Sequence, residues 1–96
     1  MDTALQFPKI AIRIIKEQEL IIGPLAWDEA KKVPGIQIVN VEREEVLVDS
    51  DPKQTIDKLV AQYERIFGKT SHAVCKDAVK DIISGLPPEE VPSSLR

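Results

Sequence analysis

Glycine and proline cut this chain into segments that leave room only for small helices and strands. Gly23-Pro24, Pro34-Gly35, Asp51-Pro52, Gly68, and Gly85 followed by Pro87-Pro88 all fall between stretches of apolar periodicity. Proline suits the first turn of a helix, where its missing N–H would be unpaired anyway, and glycine suits the residue after the last turn, where the backbone turns left-handed. All four glycines sit at such boundaries, and none belongs to a phosphate-cradling motif. No nucleotide site is expected.

Between residues 8 and 22 two periodicities compete. Ile10, Ile12 and Ile14 alternate like a strand, in keeping with the β-propensity of isoleucine. Over the longer window, at helical spacing, Ile10, Ala11, Ile14, Ile15, Ile21 and Ile22 share one arc with Gln18, while Arg13, Lys16, Glu17 and Glu19 lie opposite. A hairpin would have to turn at residues 16–19, which contain no Gly, Asn or Asp. The pattern predicts a helix, with Pro8 at its first position and Arg13 and Glu17 spaced i,i+4. Pro24 then opens a second, short helix in which Ala26, Ala30 and Val33 share a face, with Trp27 near its edge.

Two β-branched runs follow, residues 35–41 and 45–49, separated by Glu42-Arg43-Glu44. They read as an antiparallel hairpin with a loop of three to five residues, since Glu-Arg-Glu makes a poor tight turn. A third helix starts at Asp51-Pro52, with Asp51 as N-cap and Gln54 as the back-bonding member of a capping box. Its apolar arc is Ile56, Leu59, Val60, Tyr63, Ile66 and Phe67, and Gly68 closes it. A fourth helix is predicted from Thr70 or Ser71 to Ser84, with Val74, Cys75, Ala78, Val79, Ile82 and Ile83 inward. The expected architecture is α+β: a small antiparallel β-hairpin packed against about four helices, in the order α-α-β-β-α-α. Residues 1–86 form the single domain of that reading, and the proline- and glutamate-rich residues 87–96 a flexible tail.

A chain of 96 residues carries one core, and 43% hydrophobic with 30% charged residues is an ordinary globular balance. The formal net charge of −3 and the scarcity of aromatics (Phe7, Trp27, Tyr63, Phe67) count against nucleic acid, which is bound through surplus cations and stacking platforms. With one cysteine, Cys75, no disulfide can close within the chain, and this favours a reducing compartment. The first residues lack the basic start and apolar run of a signal peptide, and no stretch is long and apolar enough to span a membrane. A cytoplasmic protein without membrane attachment is expected.

His72 and Cys75, spaced i,i+3, form the one constellation with chemical promise, as a metal pair or a thiolate–imidazole pair. Cys75 falls on the apolar side of its helix and His72 at the boundary, so a buried hydrophobe and a boundary histidine explain both. Lys69, His72, Lys76 and Lys80 line one stripe of the same helix, able to receive an anion or an acidic partner, with Asp77 and Asp81 flanking it. Asp49-Ser50-Asp51 lacks the ligand spacing of a calcium loop and reads as capping. Trp27 sits beside a proline corner, where it serves either core or contact.

No nucleophile, base and orienter occur together, and no catalytic residue, cofactor or metal site is assigned. The reading is a non-enzymatic protein-interaction or regulatory adaptor, self-associating as a homodimer because two strands alone are marginal in water. Its candidate surface is Trp27, Lys69, His72, Lys76 and Lys80. The alternative is a small-molecule or metal-ion sensor with a pocket near His72 and Cys75.

Overall fold

Helical spacing prevails over alternation in the isoleucine-rich first segment, because a helix buries Ile10, Ala11, Ile14, Ile15 and Gln18 on one face, leaving Ile21 of the predicted arc exposed near its end. The computed structural model describes residues 6–49 and 51–96. Its elements are α1 (Gln6–Ile22), α2 (Leu25–Lys31), β1 (Ile36–Asn40), β2 (Glu45–Val48), α3 (Pro52–Phe67), α4 (Lys69–Ala78) and the one-turn α5 (Lys80–Ile83). Two 3-10 turns follow, Pro88–Glu90 and Ser93–Leu95. The domain is α+β, with the predicted element order and one two-stranded sheet.

Ile10, Ile14 and Ile15 of α1, Ile56, Leu59, Val60 and Tyr63 of α3, and Cys75 of α4 form the centre of the core, joined by Val79 just beyond α4. Gln18, the one polar residue on the apolar arc of α1, is fully buried and satisfied there. Its Nε2 donates to the Ser71 carbonyl at 3.3 Å and faces Cys75 Sγ at 3.5 Å, and its Oε1 accepts from Ser71 Oγ at 3.5 Å. Tyr63 Oη donates to the Ala26 carbonyl at 2.6 Å, which ties α3 to α2. Among the described residues every buried side-chain nitrogen or oxygen has a partner.

The hairpin pairs Ile36 with Val48, Gln37 with Leu47, Ile38 with Val46 and Asn40 with Glu45, leaving Val39 as a bulge. Residues 41–44 form the loop. Asn40 Oδ1 accepts the Arg43 N–H at 3.0 Å, and the Glu44 N–H donates to the Val41 carbonyl at 3.1 Å. Glu44 adopts a φ of 56°, unusual for a residue with a side chain, and Lys16 of α1 holds its carboxylate at 2.7 Å. That contact raises the Lys16 pKa, through the hydrogen bond first and the charge of Glu44 second.

The junction between sheet and α3 departs from the sequence reading. The Asp51 side chain makes no cap, and the polar contacts at the start of α3 come from Asp49 instead: its Oδ1 accepts the Asp51 N–H at 3.2 Å and Thr55 Oγ1 at 2.7 Å. These hydrogen bonds, Thr55 foremost, hold the Asp49 carboxyl below its ordinary pKa. Gly35 packs directly over the pair. A Cβ on it would lie 2.6 Å from both Asp49 Oδ2 and Thr55 Oγ1, and its φ of +93° belongs to glycine.

The fourth predicted helix is two. It begins at Lys69 directly after Gly68, without a side-chain cap from Thr70 or Ser71, and breaks at Val79, whose backbone leaves the helical region (φ −116°, ψ 8°) while its side chain stays buried. Arg13 supports the break by donating from Nη1 to the Ala78 carbonyl at 3.3 Å and to Asp81 at 3.1 Å. Asp81, not the i,i+4 Glu17, is thus the ion-pair partner of Arg13.

Residues 87–96, expected as a tail outside the domain, pack on α3 and α4, with Val91, Pro92 and Leu95 buried. Asp57 of α3 grips this strap: Oδ1 accepts the Ser94 N–H at 2.9 Å and Ser94 Oγ at 2.6 Å, and Oδ2 accepts Ser93 Oγ at 2.9 Å. Lys53 donates to the Glu89 carbonyl at 2.7 Å. Among the described residues no helix is long and apolar enough to cross a membrane.

Candidate interaction surfaces and a basic pocket

The residues singled out from sequence do not form one surface. Trp27 is 4% exposed and belongs to the core, with Nε1 donating to Glu19 Oε2 at 2.6 Å across the Gly23-Pro24 corner. It is not available as a contact. Lys80 lies past the break at Val79, in α5, so it borders a neighbouring depression with Lys76, Asp77, Ile83, Ser84 and Leu95 instead of continuing the stripe of α4.

Lys69, His72 and Lys76 do come together. They line a concavity of about 400 Å³ between α4 and the C-terminal strap, with Ala73, Glu64 of α3, and Ser93, Ser94 and Arg96 of the strap. His72 is not a free ligand in it. Its Nδ1 lies 3.0 Å from Glu64 Oε2, and its Nε2 faces the Ser94 carbonyl oxygen. The histidine thereby fastens strap to α3 and α4.

Cys75 is remote from that chemistry. Its side chain is fully buried, and burial pushes the thiol up to about 11, partly offset by the hydrogen bond from Gln18. A thiol so placed is neither nucleophile nor metal ligand at neutral pH. The depression beside His72 opens toward the strap, and Cys75, buried in the core, does not line it. Among the described residues no three His, Cys, Asp or Glu side chains gather as a metal ion would require.

Two features escaped the sequence reading. One is the outer face of the hairpin. Alternation turns Ile36, Ile38, Val46 and Val48 toward the helices and Gln37, Val39 and Leu47 outward, and Leu47 remains 56% and Val39 49% exposed. Val41 in the loop adds a third exposed apolar side chain. The signal was present, since both runs carry apolar residues at consecutive positions, Ile38-Val39 and Val46-Leu47-Val48, and one face of a two-stranded sheet must face away from the helices. The other is a shallow groove between α1 and the loop, lined by Lys9, Ile12, Arg13, Lys16, Glu17, Leu20 and Glu44. Of its three cations, Arg13 and Lys16 are already paired with Asp81 and Glu44.

Comparison with protein-family models, with curated proteins and with solved structures found no match to this chain. The surfaces therefore carry the functional reading by themselves.

Proposed function

We propose that this chain is a non-enzymatic protein-interaction domain that self-associates through its hairpin, outer face against outer face. The observation that carries the reading is the pair of half-exposed side chains Leu47 and Val39 on a sheet of only two strands, whose edges make no further strand pairs among the described residues. Two-stranded sheets with a bare apolar face are marginal in water, and a second copy is the partner that always carries a matching patch. A two-fold arrangement sets Val39, Val41 and Leu47 against the same residues of the other protomer. The mixed charge at the loop, from Glu42, Arg43, Glu44 and Glu45, would then rim an apolar centre, the usual anatomy of such contacts.

Light scattering and sedimentation over a wide concentration range test this reading. A dimer is expected for the parent chain, and a monomer with unchanged circular dichroism for Leu47→Lys. A parent chain that stays strictly monomeric at high concentration would sink the proposal.

A further inference from the structure

We infer that the concavity lined by Lys69, Lys76 and Arg96 is a binding site for a phosphate-bearing ligand, separate from the hairpin. Two independent segments converge there: Lys69 and Lys76 come from α4, one turn on either side of His72, and Arg96 comes from the strap that His72 and Asp57 hold in place. The carboxylates that would ordinarily neutralise such a group are engaged elsewhere. Glu64, the acidic residue in the lining, is turned to His72, and Asp57 is taken up by the hydroxyls of Ser93 and Ser94 and the Ser94 N–H. Lys69 and Lys76 have no ion-pair partner among the described residues, although the chain carries 16 acidic against 13 basic side chains. Arg96 spends one N–H on the Pro88 carbonyl at 3.5 Å and keeps the rest of its fork.

Charge selects the class of ligand. Lys69, Lys76 and Arg96 outnumber the one acidic side chain of the lining, Glu64, and a phosphate monoester carrying about −1.5 to −2 at neutral pH answers such a cluster better than a single carboxylate does. Ammonium groups and a guanidinium placed around one hollow supply donors in several directions, as a tetrahedral oxyanion requires. The ligand source is either a free phosphate or a phosphorylated side chain, and the two share this chemistry.

The test is an NMR titration of the full chain with inorganic phosphate, with a short phosphoserine peptide and with the same peptide unphosphorylated. Saturable shifts are expected at the amides of Lys69, Ala73, Lys76, Ser94 and Arg96, and none with the unphosphorylated peptide. Tighter binding of the phosphopeptide than of phosphate would identify a modified protein as the source, and equal binding a small molecule. Lys76→Gln should weaken binding by at least about tenfold, the scale of one lost charge-assisted contact, and Lys69→Glu with Lys76→Glu should abolish it. Lys9→Gln, on α1, makes the same change in net charge as Lys76→Gln outside the pocket and should leave binding as it was. Shifts spread over all lysines without saturation, or equal losses in Lys9→Gln and Lys76→Gln, would overturn the site. Because the hairpin plays no part in these readouts, a monomeric chain can still bind phosphate here, and a dimer can fail to.

Discussion

The helices α1, α3 and α4 cover the middle of one another's apolar faces, with Leu20, Ile21 and Ile66 left exposed toward helix ends, whereas the hairpin covers only one of its two faces along its whole length. On the helical side even a glutamine is enclosed and satisfied, and Ile10, Ile14, Ile15, Ile56, Leu59 and Tyr63 have no exposure left. On the sheet side Ile36 and Val46 are buried while Leu47, one residue further along, lies open. The difference follows from geometry: a helix meets neighbours over a stripe and can turn charge to water elsewhere, but a strand with apolar residues at consecutive positions, as Val46, Leu47 and Val48 are, is apolar on both faces. Without something over the second face, the hairpin depends for stability on the helices beneath it.

The largest expected effect breaks the comparison if it fails. Ile14→Ala should destabilise the fold by about 2–5 kcal/mol, because the enclosed site cannot collapse around the lost atoms. Leu47→Ala, measured in urea at a concentration where the chain is monomeric, should stay within about 0.5 kcal/mol of the parent, as surface substitutions do. Comparable losses at the two positions would mean that the outer face of the hairpin is already packed within the protomer.

Gly35 lies at the seam between the regions. Gly35→Ala must hold a φ of +93° and push apart Asp49 and Thr55, both 2.6 Å from the added carbon. A non-glycine residue held in such a backbone region costs of the order of 1–3 kcal/mol, and the collision adds to it. Thermal unfolding should therefore show a clear fall in midpoint, larger than for Gly68→Ala, where the added carbon meets no atom within 4 Å. Equal effects at the two glycines would show that the seam is loose and that hairpin and helices are coupled elsewhere.

Local periodicity made most of this architecture legible. The helical arcs of residues 8–22 and 52–67 recur as buried faces in α1 and α3 except at their C-terminal ends, where Ile21 and Ile66 are exposed, and Cys75 lies on the apolar side where its spacing put it. What could not be read depends on contacts remote in sequence. Asp57 and Glu64 fall outside the apolar arc of α3 and look like solvated charge, yet one grips Ser93 and Ser94 and the other holds His72. The strap itself offers only Val91, Pro92 and Leu95 among polar residues, too few for any periodicity, and it is fixed by partners 36 and 37 residues earlier. The edge position of Trp27 left core and surface open until Glu19, eight residues back across a proline corner, supplied its hydrogen bond. The break at Val79 has no glycine or proline to announce it. Of the candidate site, the pairing of Lys69 with Lys76 was legible from helical spacing, while the contribution of Arg96 was not.

The smallest expected effect is a dependence on acid, and it sharpens the comparison because each region owns one of the carboxylates concerned. Asp49 sits at the sheet–α3 seam, and Glu29 of α2 accepts from Lys32 at the end of its own helix at 3.0 Å and from Gln62 of α3 at 2.8 Å. Both are held below their ordinary values of 3.8 and 4.5, Asp49 chiefly by the Thr55 hydroxyl and Glu29 chiefly by Lys32. A carboxyl whose folded pKa is depressed binds fewer protons than in the unfolded chain, so its contribution is complete above the ordinary value and fades as pH falls below it toward the folded one. Urea unfolding followed from neutral pH to below 4 should show a stability that drops across this window. Asp49→Asn should flatten that drop, as should Glu29→Gln. If hairpin and helices unfold as one unit, both substitutions flatten the same transition; if the hairpin loosens first, only Asp49→Asn changes the earlier step, seen by amide exchange in β1 and β2.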